Sequence, residues 1–254
     1  MTVFTRPFPC PGQCIFCPND VRMPKSYLSD EPGAQRAEDN GFHPYTQTWG
    51  RIDVLRALGH AVSKIEILIL GGTWTHYPPP YRRWFVCECF KALNDFGKGI
   101  DRRNEVLEQH LQLGNTPRIP HTGVREGHYN RALRTHLGPF ITSPQAFESA
   151  SFEEITWTQH ENVESPCRSV GLVIETRPDE ITLAQLIELR KLGVTKVQLG
   201  VQSLSDTVLT QNKRGHDVQT TKRAFAKLRS MGFKIMAHAM PNLLGATPES
   251  DLVD

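Results

Sequence analysis

Three times along this sequence an apolar pattern at helical spacing runs into a glycine and then into a short apolar strand. In the first copy Trp49, Ile52, Leu55 and Leu58 share a helix face, Gly59 follows, and residues 65–70 read as a strand ending at Gly71-Gly72. In the second, Thr182 caps a helix carrying Leu183, Leu186, Ile187 and Leu192; Gly193 stops it and 195–200 is the strand. The third spans 219–231, with Gly232 as the stop and 234–238 as the strand. Helical periodicity followed by a glycine just past the last apolar position marks a helix and its end. A further strand is read at 170–175 and a short one at 3–5. Strands alternating with helices pair in parallel through right-handed crossovers. About five strands are too few to close an eight-stranded barrel. The fold class is therefore α/β, either an open sheet or an incomplete barrel. Thr247-Pro248-Glu249 starts another helix shortly before the sequence stops at Asp254, so a domain cut short before its last strand is expected.

A length of 254 residues suits one large domain or two small ones, and 39% hydrophobic with 22% charged residues excludes disorder and collagen-like repetition. No apolar stretch approaches the roughly 18 residues that cross a bilayer. The N-terminus runs through Arg6, Pro7, Pro9 and Cys10 without an apolar signal core, so a cytoplasmic location is expected. With 29 Lys and Arg against 27 Asp and Glu, the net charge of +2 does not by itself announce a nucleic-acid binder. The pattern fails over 98–148, where Gly, Pro and Asn interrupt every candidate helix except 104–113. That stretch reads as a polar, basic surface excursion inserted within a single core of 1–254.

Six cysteines without a signal sequence point to metal or redox chemistry before a disulfide framework. Cys87 and Cys89 fall two apart on a helix and face different directions; with Cys167 they read as packing or surface thiols. The other three form Cys10-Pro11-Gly12-Gln13-Cys14-Ile15-Phe16-Cys17. Thiolates at this spacing can turn onto one face of zinc or of an iron–sulfur cluster. A closed zinc site takes four ligands, whereas three on a four-iron cube leave one iron open. A zinc site completed by His43 or Cys87, or simply buried thiols, is the competing reading.

The spacing Cys-x-x-x-Cys-x-x-Cys, with Phe16 before the last cysteine, resembles the cluster motif of radical S-adenosylmethionine (SAM) enzymes. That resemblance implies a partial (β/α) barrel of about six strands, five of them present, with a 4Fe–4S cluster on Cys10, Cys14 and Cys17 and SAM on the open iron. Gly71-Gly72-Thr73 resembles the Gly-Gly-Glu motif that holds the methionyl amino group, with Thr73 in place of Glu. Ile174-Glu175-Thr176-Arg177-Pro178-Asp179, Gly200-Val201-Gln202-Ser203, Arg214-Gly215-His216 and His238-Ala239-Met240-Pro241 follow in order. Together these resemble the radical SAM domain of the elongator catalytic subunit, in the family of tRNA uridine-modifying acetyltransferases. The resemblance implies Glu175 and Gln202 on the ribose or adenosyl part of SAM, Arg214 on its carboxylate, and His238 at the barrel mouth. It further implies acetyl-CoA as co-substrate, wobble uridine of tRNA as target, and other elongator-type subunits or a second copy as partners. A non-catalytic tRNA-binding scaffold, or a radical SAM enzyme with another substrate, are the alternatives. No catalytic residue is assigned.

Taken on their own chemistry, Glu175 suits ribose hydroxyls or a pair with Arg177, and Arg214 suits a carboxylate or is a loop cation. His238 is either a core histidine or a site residue. Phosphate contacts need cations; the candidates are Lys25, Arg36, Arg51, Arg82, Arg83, Arg102, Arg103, Arg125, Arg131 and Arg134. Arg82 and Arg83, beside Tyr81 and Trp84, lead that set.

Overall fold

The computed structural model describes residues 1–113, 129–137 and 148–253. Its frame is one sheet of five parallel strands: β1 (Thr2–Phe4), β2 (Lys64–Leu70), β3 (Arg168–Thr176), β4 (Lys196–Gln202) and β5 (Lys234–Ala239). Their spatial order follows the chain, β1-β2-β3-β4-β5, so every C-terminal end opens on one side. The register pairs Phe4 with Leu70, Ile69 with Ile174, Glu175 with Gln198, and Gly200 with His238. This is the partial (β/α) barrel expected, with five strands among the described residues.

The repeated helix–glycine–strand unit explains the crossovers. Helices α1 (Pro32–Asp39) and α2 (Pro44–Ala57) precede β2, α3 (Pro79–Gly97) follows it, and α4 (Arg103–Leu113), α5 (Tyr129–Leu137) and α6 (Phe152–Val163) come before β3. After β3 come α7 (Leu183–Lys191), then α8 (Asp206–Gln211) and α9 (Val218–Ser230) between β4 and β5, and finally α10 (Pro248–Val253). Thr182 accepts from the Gln185 N–H at 3.3 Å and Asp217 from the Thr220 N–H at 2.6 Å, caps worth about 1 kcal/mol each. Gly59, Gly193 and Gly232 follow their helices at φ of +84°, +81° and +73°, a conformation in which any Cβ is penalised.

Ile65, Ile67 and Ile69 of β2 alternate inward, while Leu172, Val173 and Ile174 are buried in succession, as in a strand covered on both faces. β1 is short and lies at the sheet edge. Gln47 of α2 covers that edge by accepting from the Phe4 N–H and donating to the Phe4 carbonyl, both at 2.9 Å. α3 packs between α2 and α6, and its buried Cys87 and Cys89 are packing residues, as is Cys167.

Arg82 corrects the expectation for nucleic acid. It is 1% exposed and donates to Gln185 Oε1 at 2.6 Å and Glu188 Oε2 at 2.7 Å, tying α3 to α7. Adjacent residues on a helix point about 100° apart, so Arg82 and Arg83 do not form one basic face. Arg83 donates to the Ala150 carbonyl at 2.9 Å and lies over the Phe152 ring. Lys25 is buried as well, its Nζ donating to the Pro18 carbonyl at 3.0 Å and to Asn19. Arg102 and Arg103 face Asp95 and Asp101; Arg125 lies outside the described residues. Arg131 and Arg134 stand exposed on α5.

The 98–148 stretch is also more than a surface excursion where it is described. α4 packs on α2, and α5 buries Tyr129 and Leu133 in the core. The Tyr129 hydroxyl donates to the Met23 carbonyl at 2.8 Å. Glu148 accepts from Arg6 Nε and Nη2, both at 3.1 Å. Among the described residues no helix is long and apolar enough to cross a membrane.

Candidate functional site

Parallel strands gather their functional residues at their C-terminal ends, and here the ends of β2 to β5 face the loop that follows β1. Between them lies a cavity of about 180 Å³ bordered by Cys10, Cys14 and Cys17 from the loop. Gly72 and Thr73 reach it after β2, Glu175 and Gln202 at the ends of β3 and β4, Arg214 after α8, and His238 from β5. Gly71 stands beside it, its carbonyl accepting from the Tyr77 hydroxyl at 3.0 Å. Residues up to 228 positions apart in the chain, Cys10 and His238, thus border one space.

The cysteine loop is held by its surroundings. Cys17 N–H donates to the Cys14 carbonyl at 3.4 Å, and Ile15 N–H to the Asn212 carbonyl at 3.3 Å. Thr73 Oγ1 lies 3.7 Å from Cys10 Sγ. Cys14 accepts from Arg214 Nη1 at 3.3 Å and from Arg177 Nη1 at 3.5 Å. The Cys17 thiol, with the two guanidinium groups, holds Cys14 well below the usual thiol range against the opposing effect of burial. Cys17 itself is raised, because it is the donor of that pair and is buried. One thiolate beside two cations is the form in which cysteine ligates metal.

His43 and Cys87 do not complete the triplet. His43 caps α2, its Nδ1 accepting from the Tyr45 N–H at 3.2 Å, and Cys87 Sγ lies 3.7 Å from Thr158 Oγ1. Among the described residues no three His, Cys, Asp or Glu side chains gather closely enough for a single ion; the three thiols border a cavity instead. Arg214 Nε is buried without a hydrogen-bond partner, and Nη2 donates to the Gly200 carbonyl at 2.5 Å. Arg214 borders the cavity, and a guanidinium there suits an anionic ligand group. Soft donors at one end and an anion-seeking cation nearby fit a thiolate-bound cluster with a carboxylate ligand.

Glu175 is pushed up to about 7 by burial, opposed by the Tyr27 hydroxyl, which donates to its Oε2 at 2.6 Å. The sequence allowed a Glu175–Arg177 pair; the structure gives Glu175 to Tyr27 and turns Arg177 to Asp179 and Cys14. Gln202 sits at φ +75° where the β4–β5 register slips, a strained conformation for a residue with a side chain. Such strain collects at functional sites. His238 borders the cavity, half-buried, with its pKa lowered by burial. Tyr27, Lys25, Ser26 and Arg177 also border the cavity. None was read from the sequence as a cofactor-binding residue: Lys25 was read as a phosphate contact and Arg177 only as a partner for Glu175, while Tyr27 and Ser26 lie outside the strand-end motifs.

Three thiols, an orphaned guanidinium and a strand-end carboxylate on one parallel-sheet mouth define a class. Residues 152–253 match the family model of the radical SAM superfamily, and the chain carries a radical SAM domain. More particularly, it is 32% identical over 252 residues to a tRNA uridine(34) acetyltransferase of Dehalococcoides mccartyi, covering 99% of this chain and 43% of that protein. It is 28% identical over 264 residues to Elongator complex protein 3 of Saccharomyces cerevisiae, covering 99% of this chain and 38% of that protein. The solved structure of the archaeal Methanocaldococcus infernus Elp3 with an N-terminal deletion superposes with a TM-score of 0.59 at 28% identity, covering 84% of this chain and 38% of that one. The chain therefore spans well under half the length of the relatives it matches.

Proposed function

We propose that this chain is the radical-generating part of a tRNA uridine-modifying enzyme, with Cys10, Cys14 and Cys17 holding a 4Fe–4S cluster. The observation that carries this reading is the convergence of those thiols with Arg214, Glu175 and Gln202 on one cavity at the strand ends. Held by those three thiolates, a 4Fe–4S cluster would supply the one-electron reduction that cleaves SAM to methionine and a 5′-deoxyadenosyl radical.

The protein's own groups bind and orient. Arg214, on the border of the cavity, receives the methionyl carboxylate. Gly71, Gly72 and Thr73 present backbone to the methionyl amino group; Gly72 takes φ +80° where a Cβ would stand 2.9 Å from the Lys25 carbonyl oxygen, so only glycine allows this turn beside the cavity. Glu175, already fixed by Tyr27, offers its remaining acceptor capacity to ribose hydroxyls. Gln202 addresses the adenosyl part, and His238 lines the mouth through which substrate enters. Burial excludes water that would quench a radical.

Acetyl-CoA as co-substrate, a carboxymethyl-type product at wobble uridine and tRNA as the partner are part of the same proposal, supported by the likeness to tRNA uridine(34) acetyltransferases. An elongator-type assembly or a second copy of the chain are the protein partners, and the cytoplasm the location. Residues 1–254 are read as one core, with 98–148 inserted in it. Anaerobic reconstitution with iron and sulfide, followed by assay of 5′-deoxyadenosine release, tests the reading. Zinc in place of iron removes it. A cluster that never cleaves SAM leaves only the non-catalytic scaffold.

A further inference from the structure

Arg177 is a buried charge that the SAM-binding roles leave unused. Its side chain is 5% exposed and lies behind Cys14. Nη1 donates to Cys14 Sγ at 3.5 Å, Nε to Asp179 Oδ1 at 3.0 Å, and Nη2 to Asp179 Oδ2 at 2.8 Å and to the Arg214 carbonyl at 2.5 Å. The slot it fills depends on two missing side chains. A Cβ on Gly12 would stand 2.2 Å from Nη1, and one on Gly215 would stand 3.2 Å from Nη2. Asp179 provides the counter-charge and a two-point grip that a buried guanidinium requires. His216, its side chain fully enclosed, backs the carboxylate with Nδ1 3.7 Å from Oδ1.

Arg214 and Arg177 both touch the Cys14 sulfur, but they differ in what remains. Arg214 keeps a buried Nε unpartnered, whereas every guanidinium nitrogen of Arg177 has a partner, in sulfur, Asp179 or a backbone carbonyl. Its one contact with the cavity chemistry is the sulfur.

We propose that Arg177 is a positioning residue for the cluster, donating to the Cys14 sulfur from a slot fixed by Asp179, Gly12 and Gly215, and thereby raising the cluster's reduction potential. The inference rests on the cluster reading above. Reduction adds one electron, supplied by an external reductant, to the cluster; no bond breaks and no proton moves. The added negative charge is stabilised by a nearby N–H donor carrying positive charge, and the effect is larger away from water. Hydrogen bonds to cluster sulfurs and net local charge are recognised levers on such potentials.

The test is an anaerobic redox titration of the reconstituted chain followed by the electron paramagnetic resonance signal of the reduced cluster, in wild type, Arg177→Gln, Arg177→Lys and Asp179→Asn. Arg177→Gln lowers the reduced-to-oxidised ratio at a fixed potential about tenfold, equivalent to about 59 mV for one electron. Arg177→Lys, which keeps the charge and loses the fork, shifts the ratio less in the same direction. Asp179→Asn shifts it the opposite way, because the guanidinium remains in its slot while its counter-charge is gone. A merely structural role moves both sites in one direction. Where Arg177→Gln fails to hold iron, the opposed shifts of Arg177→Lys and Asp179→Asn carry the comparison. Fully loaded Arg177 variants with the wild-type potential overturn the proposal, as do Arg177 and Asp179 variants that shift together. A wild type that assembles no four-iron cluster overturns the underlying reading, and this proposal with it; that failure is seen in the wild type alone.

Discussion

Asn130 grips the peptide of Cys10 at both ends: the Cys10 N–H donates to Asn130 Oδ1 at 3.0 Å, and Asn130 Nδ2 donates to the Cys10 carbonyl at 2.8 Å. Gln47 holds Phe4 in the same manner. Irregular backbone near a sheet needs such partners, since a buried peptide group left unpaired is costly. α5 thus belongs to the machinery of the cysteine loop. Replacing Asn130 by Ala removes both bonds and costs about 1–3 kcal/mol locally. Expected is a loop that retains less iron after gel filtration, with a modest fall in Tm; iron per chain is the measurement, and unchanged retention contradicts the role.

Arg82 is a structural cation. Removing it strands Glu188 in a half-dry pocket, so Arg82→Ala lowers stability by about 3 kcal/mol, read by denaturant titration. Arg82→Met, which keeps packing volume, costs less. Neither substitution changes the salt dependence of tRNA binding.

Arg131 and Arg134, also candidates from the sequence, are exposed on the helix that carries Asn130; if the chain binds tRNA as proposed, they are better placed for phosphate than the buried Arg82. The Arg131→Ala, Arg134→Ala double variant weakens tRNA binding and reduces the slope of log K against log salt by roughly 1 to 2. A binding isotherm series in salt decides it: an unchanged slope removes both residues from the interface.

Glu175 has a pH consequence whose sign is fixed by its environment. The unfolded chain ionises this carboxyl in the ordinary range near 4.5, whereas the folded chain does so only at about 7. The folded state binds the extra proton between those values, so stability falls as pH rises through that window and is level above it. Glu175→Gln removes the dependence. At neutral pH the variant is more stable than wild type by on the order of 3 kcal/mol, and the gap closes as pH falls toward 4.5. Weaker SAM binding accompanies the gain, as in other sites where function is kept at the expense of stability. Denaturant midpoints of the two proteins across pH 4 to 8 measure it; a constant gap is the opposing result.

The frame of this fold was legible because it repeats. Gly59, Gly193 and Gly232 mark three helix ends by the one property that sequence displays directly, the missing Cβ, and the strands follow at short range. The cysteine triplet, Glu175, Gln202, Arg214 and His238 were legible for a related reason: each stands in or beside a motif that strand ends bring to one mouth. What escaped depends on long-range packing. Arg82 looked like a neighbour of Arg83, but helix geometry gives the two different faces. Tyr27 and Lys25 sit in a stretch with no period of either kind, so nothing local says that it folds over the cavity. Asn130 meets Cys10 across 120 positions, from a stretch whose broken pattern reads as surface. Arg177 was seen only as a partner for Glu175; its true neighbours are set by two distant glycines and a turn.

The proposed function requires that Cys10, Cys14 and Cys17 hold a cluster with an iron open to SAM. Electron paramagnetic resonance of the reconstituted, reduced chain with and without SAM tests it most directly. Expected are one four-iron cluster per chain whose signal changes shape when SAM is added, and loss of that cluster in Cys14→Ala. A chain that takes up zinc but no iron, or a cluster whose signal ignores SAM, contradicts it.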